Sequence, residues 1–246
     1  MILHGAVRKP EPDARDWLFT DHPLCMATPD STLPKKKSIK DKFGPVYTQT
    51  CGDCTSNAAL ACDAYYYHTD AWVPSAVFTY YIQREKDHCI DEDCGGSVEG
   101  AIKAVRKYGA CNSKVWSNQE PFNKKPSKEA YADGLKGHEI TKFYAVKSFT
   151  QIKKAICLGY PVATAAEWAF KSIDPETHIL NDPTKKEIKE CELGHAFVIV
   201  SYDDERKLFE IRNSWGPDWG DKGYGFITYS TMKNVIWFDD SYAIVR

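Results

Sequence analysis

Apolar residues in the first half of the chain recur at three- and four-residue intervals; in the second half they gather in short runs. From Thr55 to about His68, preceded by Cys54, the positions Cys54, Ala58, Ala61, Cys62 and Tyr65 share one face of a predicted helix. "PSAVFTYYIQREKD", from Pro74, predicts a second helix with proline in its first turn and apolar residues through Ile82. "SVEGAIKAVRKYGA", from Ser97, predicts a third, with Val98, Ala101, Ile102 and Val105 as its apolar stripe and Gly109 as its stop. "FTQIKKAICLG" predicts one more helix. Then "HAFVIVSYD", "KLFEIRNSW", "YGFITYS" and "SYAIVR" follow as short β-branched or aromatic runs parted by Asp, Gly and charged turns, the signature of strands, with a further strand expected at 160–166. A helical half followed by a sheet half predicts an α+β fold of two lobes with a cleft between them.

The first forty residues break this pattern. They are rich in Pro, Lys and Asp around short apolar islands ("DWLF", "PLCM") and read as an extended N-terminal arm over residues 1–40. A helical lobe is expected over 41–125 and a β-rich lobe over 126–237, with a C-terminal strand at 238–246 returning to the helical lobe. The chain of 246 residues is long enough to bury a substantial core without metals or disulfides. Its 32 basic and 34 acidic residues nearly cancel, to a net charge of −2, which leaves no electrostatic footprint for nucleic acid or an anionic membrane. The lysine run at 35–37 reads as a solvated loop. No stretch resembles a secretory signal or a membrane span, so a soluble protein is expected, and the nine cysteines suit either an oxidising or a reducing compartment.

Candidate chemistry begins at "QTCGDCTSNAAL", residues 49–60, where Cys51 and Cys54 form a CxxC. Such a pair serves as a metal knuckle, a redox couple, half of a structural bridge, or a nucleophile with a bystander. A zinc knuckle needs two further ligands, for which Cys89, Cys94 and scattered histidines are the candidates. A redox pair is compatible with the helix that follows. The local sequence does not choose among these.

Two distant segments do. "GHAFVIVSY" at 194–202 and "RNSWGPDWGDKGYG" at 212–225, taken with Gln49, Cys51, Gly52 and Cys54, resemble the papain-like (C1 family) cysteine peptidases in which Cys, His and Asn occur in this order. His195 follows Cys54 by 141 positions (195 − 54), and Asn213 follows His195 by 18 (213 − 195). The resemblance covers about residues 41–246. It implies a papain-like two-lobed fold, a helical lobe and an antiparallel, β-barrel-like lobe with the active-site cleft between them. It implies thiol-dependent peptide-bond hydrolysis, with Cys54 as nucleophile, His195 as proton carrier, Asn213 as orienter of the ring and Gln49 with the Cys54 N–H as oxyanion donors. Trp215 would shield the His–Asn contact and bound the cleft, and Gly95 and Gly96 would be the rail on which a substrate strand pairs. A disulfide between Cys51 and Cys94 is implied by the same pattern. No metal or cofactor is expected, and the expected partner of a monomer is a protein or peptide substrate.

The chain also departs from that pattern. Thr55 stands where an aromatic residue is usual, and "CTSNA" resembles a microbial and viral branch more than lysosomal cathepsins; the sequence leaves the location open, between the cytoplasm and, for a viral source, the virion. Gln49 precedes Cys54 by five positions, one fewer than usual. The arm is too short for a large inhibitory pro-domain, so the expectation is either a short plug across the cleft or a brace for the second lobe. An exopeptidase and a catalytically decayed binding protein are the alternative readings. For the pocket that reads the substrate side chain, Ala163, Thr164, Ala165 and Trp168 are the candidates.

Overall fold

The computed structural model describes residue 7 and residues 17–67, 72–137 and 140–246. Most of the first sixteen residues of the expected arm, and the end of the first predicted helix near His68, lie outside the described residues. From Trp17 onward the segment expected as an extended arm is folded into the sheet lobe. It carries a short helix α1 (Pro23–Ala27) and an edge strand β1 (Lys36–Ser38), and it buries Phe19, Cys25 and Ile39. Three apolar anchors so far apart produce no period that a pattern can register. Lys36 and Lys37 of the expected loop lie in β1 with their side chains exposed, as an edge strand tolerates.

Helices α2 (Cys54–Ala64), α3 (Ala76–Lys86) and α4 (Val98–Tyr108) pack on one another. A fourth, α5 (Lys128–Gly134), closes a satellite core of Phe78, Ile82, Ala104, Cys111, Trp116 and Ala130. Their limits follow from side-chain caps. The Ser75 hydroxyl accepts the Phe78 N–H at 3.2 Å and the Ser97 hydroxyl the Gly100 N–H at 3.0 Å, while Gly109 ends α4 at a φ of 70°. Because Ser75 takes the cap, Pro74 stands outside α3 rather than in its first turn, bridged to Asn112. Helix α2 departs from its amphipathic reading: every residue from Cys54 to Asp63 is buried. It runs between α3 and α4 on one side and the sheet on the other, and Ala58, Ala59 and Ala61 let it fit there.

The second lobe is an antiparallel sheet built from β2 (Lys142–Ala145), β3 (Val162–Glu167), β4 (Gly194–Asp203), β5 (Leu208–Arg212), β6 (Tyr224–Thr228) and β7 (Ile236–Val245), in the order β2-β7-β3-β4-β5-β6, with β1 added to β4. Helices α6 (Phe149–Cys157), α7 (Lys185–Lys189) and α8 (Tyr229–Val235) lie in its connections. The strand expected to return to the helical lobe, β7, instead sits inside the sheet, paired with β2 and β3. Among the described residues two side chains link it to the helices, Tyr66 just past the end of α2, whose hydroxyl donates to the Ile244 carbonyl at 2.7 Å, and Asp240. The Asp240 carboxylate accepts the N–H groups of Val98 and Glu99, at 2.8 and 3.0 Å, where α4 begins. Among the described residues no helix is long and apolar enough to cross a membrane.

Asp240 is fully buried, and burial pushes its carboxyl up to about 7. Asp240→Ala removes the acceptor and strands two N–H groups, so urea unfolding should show a loss on the order of 1–3 kcal/mol. Asp240→Asn, which keeps one acceptor, should lose less; equal losses would show that the hydrogen bonds are not what joins the lobes there.

Candidate active site

His195 is the second residue of β4, and Asn213 directly follows β5. The register that pairs Val198 with Arg212 runs the two segments side by side, and the Asn213 carboxamide meets the imidazole with Oδ1 2.7 Å from Nε2. The Ser214 N–H donates to the same Oδ1 at 2.8 Å. An atom that accepts from a backbone N–H is the oxygen of the amide, so Nε2 carries the hydrogen and the free lone pair of the neutral ring lies on Nδ1. Nδ1 is buried and has no hydrogen-bond partner among the described residues. His195 has 0% exposure, and burial draws its pKa down to about 4 against the opposing Asn213 bond, so the ring is uncharged at neutral pH. Two indoles wall it in, Trp215 at 4.6 Å and Trp168 at 4.7 Å between ring centroids.

Cys54 is the first residue of α2 and is likewise 0% exposed. Asn57 and Ala58, one turn on and on the same helix face, share a small buried space with Ala196, Asn213 and Ser214. That packing turns the start of α2 toward the end of β4 that carries His195. Unlike the serines that cap α3 and α4, the Asp53 side chain makes no cap hydrogen bond, so it leaves the first-turn N–H groups of α2 to other acceptors. Burial, with Asp93 adding to it, pushes the Asp53 carboxyl up to about 7, which reduces the negative charge beside Cys54 near neutral pH. Cys51 behaves differently from Cys54 in the pair: it is a buried free thiol pushed far above its usual range, first by burial and then by Asp53 and Asp93. A thiol so disfavoured as a thiolate is a poor nucleophile.

Gln49 is tied to both halves of this constellation. Its backbone N–H donates to the Ser214 carbonyl at 2.8 Å, its Oε1 accepts the Ser214 hydroxyl at 2.7 Å, and its Nε2 donates to the Cys51 carbonyl at 3.0 Å. Ser214 thereby positions Gln49 and Asn213 together. It lay inside the quoted motif, yet a serine hydroxyl carried no signal of that double role.

The expected Cys51–Cys94 disulfide is corrected by the structure: Cys94 is bonded to Cys89. Buried Arg84 donates to the carbonyls of Ile90 and Glu92, at 2.7 and 2.9 Å, and so curls the 89–94 loop until its own two cysteines are neighbours. This bridge also takes up the two thiols that a zinc knuckle would have needed. The tie between the Cys51 loop and the glycine loop is made by Asp93 instead, whose carboxylate accepts the Gly52 N–H at 3.0 and 3.1 Å and the Tyr80 hydroxyl at 2.6 Å.

Tyr80 in turn accepts the Gly95 N–H at 2.8 Å, so that donor is occupied and Gly95 is not a free pairing position. Gly96 is. A Cβ there would stand 2.1 Å from the Gln83 amide, and its backbone forms a parallel bridge with Val7. A Cβ on Gly194 would stand 2.9 Å from the Val7 Cβ. Val7 therefore spans the gap from the glycine loop of the helical lobe to the residue before His195. Ala163, Thr164 and Ala165 are fully buried in β3, whereas Trp168 lies against the catalytic-site histidine candidate.

A family profile described as papain family cysteine protease matches residues 37–242. An uncharacterized peptidase C1-like protein of Acanthamoeba polyphaga mimivirus is 30% identical, over 92% of this chain and 81% of its own length. A cathepsin B-like protein, CP3, of Giardia intestinalis is 26% identical over 77% of this chain, which spans about half (52%) of that relative. The crystal structure of xylellain, a cysteine protease from Xylella fastidiosa, superposes with a TM-score of 0.81 at 27% identity, covering 99% of this chain and 97% of the other.

The state of His195 makes a pH prediction. The folded ring stays neutral down to about pH 4, whereas an unfolded histidine binds its proton near 6.5. The unfolded state thus holds more protons across that window, and the folded state loses stability as pH falls through it, by about 3 kcal/mol at pH 4. Asp53 and Asp240, both raised to about 7, act with the opposite sign. The check is therefore the unfolding free energy of wild type minus that of His195→Gln, measured at pH 7 and pH 4. That difference should fall by roughly the stated amount, and an unchanged difference would show a ring that is not held neutral.

Proposed function

The chain belongs to the papain family of cysteine proteases, and from that membership we propose that it cuts internal peptide bonds with Cys54 as nucleophile, His195 as proton carrier and Asn213 as the residue that orients the ring. It is a thiol-dependent peptidase. The observation that carries the residue roles is the state of His195: Nε2 is pinned by Asn213, and a buried, unpartnered Nδ1 lone pair remains for a thiol.

In this reading the Cys54 thiol passes its proton to Nδ1 and the thiolate bonds to the substrate carbonyl carbon. The imidazolium returns the proton to the amine as the C–N bond breaks, leaving a thioester. A water molecule, deprotonated by the same nitrogen, then cleaves the thioester and restores the thiol. The oxyanion of each tetrahedral intermediate is met by the Cys54 N–H and by the Gln49 side chain, each donor contributing on the order of 3 kcal/mol. Gln49 Nε2 also donates to the Cys51 carbonyl, which ties the amide to the loop before Cys54.

The structure is of a closed state. Cys54 and His195 have no solvent exposure, and Val7 occupies the position on Gly96 that the substrate rail would use. We infer that Val7 blocks the acyl side of the cleft and must leave before substrate enters. Closure also explains the neutral imidazole, since the ion pair forms only when the ring regains water and a thiolate counterion.

Cys54→Ala should abolish peptide hydrolysis, by at least about a thousandfold, with unchanged unfolding; surviving hydrolysis removes Cys54 from the role. Val7→Asp in the full chain should weaken the plug and raise both the initial rate and the speed of labelling by the epoxide E-64, by roughly tenfold. Equal rates in wild type and variant would count against the plug.

A further inference from the structure

Gln83 is buried on α3, with its carboxamide against the glycine loop and both ends of that amide engaged. Its Oε1 accepts the Thr55 hydroxyl at 3.2 Å, and its Nε2 donates to the Ser97 carbonyl at 2.6 Å. Resting on the peptidase reading above, we propose that Gln83 is a positioning residue: it ties the residue after the nucleophile to the substrate rail, and so fixes where Gly96 meets a bound strand.

Contact with the rail is close. A Cβ on Gly96 would stand 2.1 Å from Gln83 Nε2, 2.3 Å from its Cδ and 2.7 Å from its Oε1, so the amide fills the space that a side chain there would take. A Cβ on Gly100, in the first turn of α4, would stand 2.9 Å from the same Nε2. Two glycines thus let the rail and the start of α4 close around a single side chain of α3. On its other side Gln83 borders a cavity of about 380 Å³ between α3 and α4, so packing alone does not hold the amide, and its two hydrogen bonds do.

The two bonds suit this residue type. Thr55 donates and Ser97 offers a carbonyl, and a carboxamide carries an uncharged acceptor and donor side by side. The hydroxyl sets which way the amide faces: with Oε1 held by Thr55, Nε2 is turned to Ser97. Thr55 stands where the family resemblance expects an aromatic ring, and it is fully buried next to Cys54 in α2. Moving the rail relative to Cys54 therefore costs the Gln83 amide one of its bonds. A strand paired on Gly96 is held in the ground state and the transition state alike, so loss of the tie raises KM and leaves kcat nearly unchanged.

The experiment compares the full-length chain with Gln83→Met, which keeps the length of the side chain and neither bond. Two rates are read on each preparation: hydrolysis of a fluorogenic peptide long enough to lie along Gly96, and alkylation of Cys54 by iodoacetamide, which has no chain to lay on the rail. Their ratio cancels the fraction of open enzyme. For the peptide, kcat/KM should fall roughly tenfold through KM, with alkylation unchanged to within about twofold. Peptide hydrolysis equal to wild type, a loss carried by kcat, or alkylation that falls in step overturns the proposal. A wild type that is alkylated at Cys54 yet cleaves no peptide sinks the peptidase reading itself, and this proposal with it. Thr55→Val, which keeps the shape and removes the hydroxyl, should reproduce the rise in KM and add nothing when combined with Gln83→Met; full additivity contradicts the tie. Should Gln83→Met fail to fold, Thr55→Val decides alone, and a KM equal to wild type overturns the proposal.

Discussion

The hydrogen bond from His195 Nε2 to Asn213 Oδ1 determines which ring nitrogen is left for the nucleophile, and most of the architecture can be read as support for it. The register of β4 against β5 brings the two residues together, and the Ser214 N–H fixes the amide so that its oxygen faces the ring. Were the amide turned over, an NH₂ group would oppose the Ser214 N–H and the imidazole would have to present its other tautomer. In the proposed mechanism the buried helix α2, packed against β4, brings Cys54 to the side of the ring that the bond leaves open. Small side chains in α2 and an unengaged cap at Asp53 are what that delivery requires.

Around this bond the protein favours neutral groups. The histidine is held uncharged, Asp53 is partly protonated near neutral pH, and Cys51 is held as a thiol, each chiefly because burial disfavours charge. A site in that condition is closed and chemically quiet, consistent with a plug at Val7. On the far flank, the two indoles that wall the histidine also line an apolar cavity.

Much of this was legible in the chain, for identifiable reasons. Helix α4 announces itself by a three-to-four apolar stripe and its stop at Gly109, α3 by the apolar run after Pro74, and β4 to β7 by apolar runs between turn residues. Cys54, His195 and Asn213 stood out because three short motifs occurred in one order at suitable spacing. What stayed hidden is long-range. Helix α8 interrupts a run that looks like continuous strand, because the Thr228 hydroxyl caps it through the Thr231 N–H. Asp93 acts on Gly52, forty-one positions away, and a lone aspartate carries no sign of such a partner. The Cys51–Cys94 bridge was inferred from family likeness, and the structure gives Cys94 to Cys89 because Arg84 shapes that loop locally.

The central claim is that the imidazole of the closed chain is neutral, carries its hydrogen on Nε2 and offers Nδ1 to Cys54. Nitrogen-15 NMR of histidine-labelled, full-length protein tests it directly, the His195 signals being those lost in His195→Gln. At pH 7 the account predicts one protonated nitrogen, Nε2, and one bare nitrogen, Nδ1. A ring protonated on Nδ1 alone, or on both nitrogens, would contradict it.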